Sequence, residues 1–170
     1  MPKKFFKKFV PSAQDMKKKK TYRFLGKWLH DSAIWHFNRR SVAGAFAIGL
    51  FFAWFPIPSQ IVYSSITAVY FRVNLPISAS LVWITNPITI PPLFYSAYRL
   101  GCFLLGEDAS MQGFEMSIEW FTNSFGQIWQ PLMVGSLSLG VISGALGYIL
   151  IHLMWRLHIM IRWKNRKNKH

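Results

Sequence analysis

Carboxylates are scarce in this chain. Six Asp and Glu stand against twenty Lys and Arg in 170 residues, a formal net charge of +14. None lies between Asp31 and Glu107. That absence excludes a paired carboxylate in the middle of the chain, and with it acid–base or metal chemistry built on one. Cysteine is nearly missing too. Cys102 alone cannot form an internal disulfide, and among Leu100, Phe103 and Leu104 it reads as a small buried hydrophobe. His30 and His36, like His152 and His158, are six apart, which sets the two rings on opposite sides of a helix instead of at a zinc-binding i, i+4 spacing. There is no Gly-x4-Gly-Lys-Ser phosphate loop. No apolar run of about 7 residues follows "MPKKFFKKFV", so no cleavable signal peptide is apparent. The expectation is a protein without cofactor or metal, and not an enzyme.

What is present is apolar and unevenly charged. Hydrophobic residues make up 52% of the chain and aromatics 17%. Twelve of the twenty Lys and Arg lie in residues 1–40 and six in 156–169, leaving only Arg72 and Arg99 between. Basic ends around an apolar middle are the pattern of a membrane protein; a nucleic-acid binder needs its basic patch on a folded soluble surface, so no nucleic-acid partner is expected.

Residues 42–71 carry no charge. As one helix they would span about 45 Å, more than a hydrocarbon core of about 30 Å. Pro56 and Pro58 interrupt them near the middle. Residues 73–98 repeat the design, with the break at "WITNPITIPPLF", residues 83–94. Proline removes a backbone donor, and irregular backbone at membrane depth is tolerated only inside protein or beside a wet cavity. Residues 132–155 differ, being uncharged, free of proline and long enough to span. Ser136, Gly140 and Gly144 fall at spacing four, as do Ser143 and Gly147, which predicts a face that another helix approaches closely and a homo-oligomer formed through it. Between lies an acidic stretch whose Met111, Phe114, Ile118, Phe121 and Phe125 recur as an amphipathic stripe.

The expected fold is all-α: an integral membrane protein with proline-broken half-helices or re-entrant hairpins and one regular C-terminal transmembrane helix. The expected divisions are a basic cytoplasmic arm and interfacial helix (1–40), a broken-helix core (41–106), an acidic amphipathic loop (107–130), a transmembrane helix (131–156) and a basic tail (157–170). Lys and Arg counts put both termini in the cytoplasm of a bacterium, at its inner membrane. A re-entrant hairpin plus one broken span gives 41–106 the odd number of crossings required, as do three irregular spans.

Helix ends at the breaks present N–H groups and a partial positive charge, which suits an anion. Ser59 and Gln60 follow the first elbow; Thr85, Asn86 and Thr89 flank the second; Ser59 or Asn86 is placed to cap the next helix. Arg72 and Arg99, alone in an uncharged region, are functional candidates by default and offer a planar fork for phosphate. The expected anionic-lipid site is therefore Arg72 and Arg99, with Gln60, Asn74, Asn86, Thr89 and Ser59 adding hydrogen bonds. A joint clamp requires the two arginines to converge.

"NRRSVAGAFAIGLFFAWFPIPSQ", "RVNLP" and "WITNPITIPPLFYSAYRLG" together resemble an uncharacterised bacterial membrane family, the domain of unknown function numbered two thousand and sixty-two. The resemblance spans about residues 35–106. Its pattern often carries glycine where this chain has Ala53 and Ser59, which implies a serine cap in place of a glycine nest. Fusion of some members to glycosyltransferase domains implies polyprenyl-phosphate chemistry. The function expected is binding and translocation of an anionic, polyprenyl-phosphate-like lipid. The alternatives are a non-transporting membrane scaffold or assembly partner, and a small channel.

Overall fold

A computed structural model of the chain describes residues 32–57, 59–107 and 118–167. Most of the basic arm and the stretch 108–117 lie outside them. All regular structure among the described residues is helical.

Helix α1, Arg39–Ala53, starts at Asn38, whose side chain accepts the Ser41 N–H at 2.7 Å. It stops short of Pro56. Helix α2, Gln60–Tyr70, and helix α3, Leu75–Leu81, follow, then a 3-10 turn, Val82–Ile84. Asn74 starts α3 by accepting the Ile77 N–H at 3.1 Å. Helix α4 is Ile90–Leu105, ended by Gly106 in the left-handed region. Helix α5, Ile118–Lys167, runs for 50 residues, about 75 Å.

The continuity of α5 corrects the sequence divisions. Residues 118–130 are its first turns and not a separate surface helix, and it passes through Pro131. Helix α4 presses on α5 there: a methyl group on Gly101 would collide with the Pro131 carbonyl.

Close contacts fix how the short helices lie on this spine. On α1, the Ala47 and Phe51 carbonyls lie 2.9 and 3.0 Å from the positions a methyl would take on Gly144 and Gly140. On α4, the Ala97 carbonyl meets Gly135 just as Pro131 meets Gly101. Both helices therefore run antiparallel to α5 and follow one another along it, α1 toward its C-terminal half and α4 toward its N-terminal half. Together they form one discontinuous helix beside a continuous one.

The α2–α3 pair is inserted at the discontinuity. Helix α2 doubles back along α1 until Val73 meets Gly44, 2.6 Å from a methyl placed there. The Asn74 N–H then reaches the Ser41 carbonyl at 3.3 Å, and its side-chain amide reaches that of His36 at 3.2 Å. Helix α3 returns beside α1, bringing Leu81 against Gly49. Ser64 and Ser78 join the two arms of the hairpin through a buried 2.7 Å hydrogen bond.

Two apolar clusters result. One gathers Val42, Ala68, Leu75 and Ile77 around Ile151; the other gathers Phe94, Ala97 and Cys102 around Ile128 and Leu132. On the opposite side of α5, Val141, Leu146, Leu150 and Met154 face outward, each more than half exposed. Residues 128–161 are the one stretch, among the described residues, long and apolar enough to cross a membrane.

Candidate functional site

The two proline breaks meet in one place. Ile57, Ser59, Gln60 and Ile61 from the first, and Trp83, Thr85 and Ile90 from the second, line a cleft of about 330 Å³, with Val82 at its base. No charged side chain lines it.

Most of its polar groups serve the broken backbone. The Gln60 amide donates to the Phe55 carbonyl and the Thr85 hydroxyl to the Ala53 carbonyl, which satisfies acceptors that the end of α1 leaves open. Asn86 and Thr89 build a reciprocal cap. Asn86 Oδ1 accepts from the N–H groups of Ile88 at 3.0 Å and Thr89 at 3.1 Å, while Thr89 Oγ1 accepts the Asn86 N–H at 2.9 Å and donates to the Ile84 carbonyl at 2.5 Å. This arrangement explains the run "TNPITIPP": a cap, a proline in the first turn, and the closing Thr.

The same bonds leave no anion site at the start of α4. The Ile90 N–H goes to the Asn86 carbonyl at 2.8 Å and that of Leu93 to Thr89 at 3.1 Å, and Pro87, Pro91 and Pro92 have none. The expected free N–H groups are absent from this helix start. Ser59 does not cap either. It stands before α2 at φ 66° with no side-chain cap bond, and it lines the cleft.

Arg72 is exposed at the tip of the hairpin, at φ 53°. Bonds from the Val73 N–H to the Ala68 carbonyl (2.9 Å) and from the Arg72 N–H to that of Val69 (3.0 Å) form a Schellman stop. Glycine usually holds that left-handed position. "RVNLP" is thus a helix stop, a buried Val, an Asn cap and a proline in the first turn. Asn74 is fully buried, with both ends of its amide used inside the chain. A ligand there would have to break the bond that caps α3 or the one to His36.

The two arginines do not converge. Val73 lies at the level of Gly44, which the α1 register sets opposite Gly147 of α5. Arg99 lies between Ala97 and Gly101, opposite residue 133. Fourteen residues of α5 separate these levels, about 21 Å. The cleft lies between them, level with residues 138–142. Arg72 shares its end with the exposed Arg39 and Arg40, and Arg99 stands at the other. The clamp geometry therefore gives way to two separate cationic ends.

The small-residue face is used inside the chain. Ser136, Gly140, Gly144 and Gly147 are buried, the glycines against α1. Ser143 accepts the Trp54 indole N–H at 2.9 Å and so ties the end of α1 to the spine. The expected oligomer contact through these positions is filled by the chain's own helix.

Residues 22–164 match the profile of a family described as an uncharacterized protein conserved in bacteria (DUF2062). The chain belongs to this family. The match extends well beyond the 35–106 region carrying the sequence resemblance and takes in the spine helix on which α1 and α4 pack. No curated protein and no solved structure matches the chain.

Proposed function

We propose that this DUF2062 protein is an integral protein of the bacterial cytoplasmic membrane, with both termini cytoplasmic, and that it binds an anionic lipid of polyprenyl-phosphate type. It acts as a binder and not an enzyme. Trp129 and Trp155 are 26 residues apart on α5, about 39 Å, near the thickness of a bilayer with its interfaces. Their midpoint is residue 142, the level of the elbow cleft. Exposed Leu, Ile and Met along α5 suit lipid contact.

One observation carries the lipid reading: the α2–α3 hairpin returns Arg72 to the end that holds Arg39 and Arg40, on a segment with no carboxylate from residue 32 to 106. A groove of about 290 Å³ lies near it, between Ala47, Phe51, Thr67, Gly140 and Gly144, and is almost wholly apolar. A phosphate at the arginines and a hydrocarbon chain in the groove match both surfaces. The test is native mass spectrometry of protein purified in mild detergent. Wild type retains a phosphate-bearing lipid, and Arg72→Gln loses it. Equal retention by the variant overturns the site.

A further inference from the structure

The chain is not evenly thick across the membrane proposed above. Helices α1, α2 and α3 all lie on the Arg39 and Arg40 side of the elbows. Val73, just past α2, reaches Gly44, and Leu81 at the end of α3 comes back to Gly49, which the α1 register sets opposite residue 142 of α5. The 3-10 turn Ser32–Trp35 adds to the same side, with Ile34 fully buried in the cluster around Ile151. On the other side of the elbows α4 lies against α5, from the level of residue 142 onward. Among the described residues, four helices thus share one half of the membrane and two share the other. At a helix diameter of about 10–12 Å, the two extra helices add roughly 200 Å² of cross-section.

We propose that the α2–α3 hairpin is a wedge in the cytoplasmic leaflet, and that the surface it fits is a lipid bilayer convex toward the cytoplasm. The proposal rests on the membrane placement and orientation above and goes beyond the lipid-binding reading. A half-depth insertion spreads one leaflet and not the other, and bending relieves the imbalance. Such convexity arises where the membrane folds inward, and the protein is expected to gather there. Two observations favour lipid beneath the hairpin over a second copy. The second elbow is apolar on its surface, with Trp83 67% and Ile88 86% exposed. Its Thr85 and Thr89 hydroxyls already serve the Ala53 and Ile84 carbonyls, so acyl chains can lie against it without stranding those groups. The small residues that let helices approach closely, Gly101, Gly135, Gly140 and Gly144, are spent inside the chain. A twofold contact through the open face of α4 would also set the exposed Arg99 toward its own copy.

The experiment uses full-length protein labelled at its C-terminus and reconstituted into phosphatidylcholine vesicles of mixed size, with no anionic lipid. Label density is read vesicle by vesicle, and an external quencher separates copies with the terminus outside from those with it inside. The C-terminus lies on the hairpin side, so outward copies should be about twofold denser in the smallest vesicles than in the largest, and inward copies the reverse, the scale on which bilayer mismatch sorts proteins. Equal density at all sizes, one trend in both orientations, or the two trends exchanged overturns the wedge. Phe103→Cys puts a thiol on the open face of α4, where Phe103 is 81% exposed. It should form no more disulfide-linked dimer than wild type; a dimer there means that a second copy fills the thinner half, and overturns the proposal. Protein that does not float with the vesicles overturns the membrane placement and the wedge together. Lipid retention with flat sorting overturns the wedge alone, and sorting without retention overturns the binding reading alone.

Discussion

Arg72 occupies a backbone position where glycine would be free of strain. A non-glycine residue in the left-handed region costs about 1 kcal/mol or more, and its φ of 53° puts Arg72 there. Strain of this kind persists where a side chain is needed. Arg72→Gly should therefore raise stability by about 1 kcal/mol while lowering lipid retention, opposite signs that thermal unfolding in detergent and native mass spectrometry would read separately. A variant both less stable and unaltered in retention would mean that the arginine is kept for the fold. At the second elbow, Asn86→Leu removes acceptors for two N–H groups. The expected loss is about 1–2 kcal/mol, seen as a lower unfolding temperature with Arg72-dependent retention intact. Asn86 as a cap was legible in the sequence because Asn-Pro-x-Thr carries its own local chemistry. Asn74 was not, because only the approach of His36 and Ser41 reveals that its amide is already used.

At the scale of elements, the seam between α4 and α5 is set by backbone contact. Gly135→Val should cost about 3 kcal/mol or more, since no side-chain rotation relieves a collision with the Ala97 carbonyl. Gly126→Ala meets nothing within 4 Å and should be neutral or stabilising by up to about 1 kcal/mol, the helix preference of alanine. Denaturation curves of the two variants side by side test whether the seam holds the bundle together. Residues 132–155 were readable as a helix from length and composition. Its extension back to Ile118 was not, because Pro131 looks like a terminus until a neighbouring helix is seen to cover it. The direction of α2 was equally hidden: prolines announce a break, but only contacts such as Val73 on Gly44 tell a hairpin from a second crossing.

For the whole molecule, the proposed orientation rests on charge asymmetry and puts both basic ends on the cytoplasmic side. Tags at residues 1 and 170 should resist external protease in intact cells, and a cysteine replacing Gln112 should react with an impermeant thiol reagent. The native Cys102, buried against α5, should stay silent in the same assay. Labelling of the termini from outside would overturn the orientation and the argument from charge. The order of events during synthesis follows from the spine. Helices α1 and α4 have 15 and 16 residues, too short to span hydrocarbon alone, and the surface they press on is translated last. At about 5–20 residues per second, the nascent core waits several seconds for its support. During that interval α1 and α4 lack the surface that buries their inner faces. A chain truncated after residue 106 should be degraded, and co-expression of residues 107–170 as a separate polypeptide should rescue it, because the spine needs to be present but need not be covalently joined.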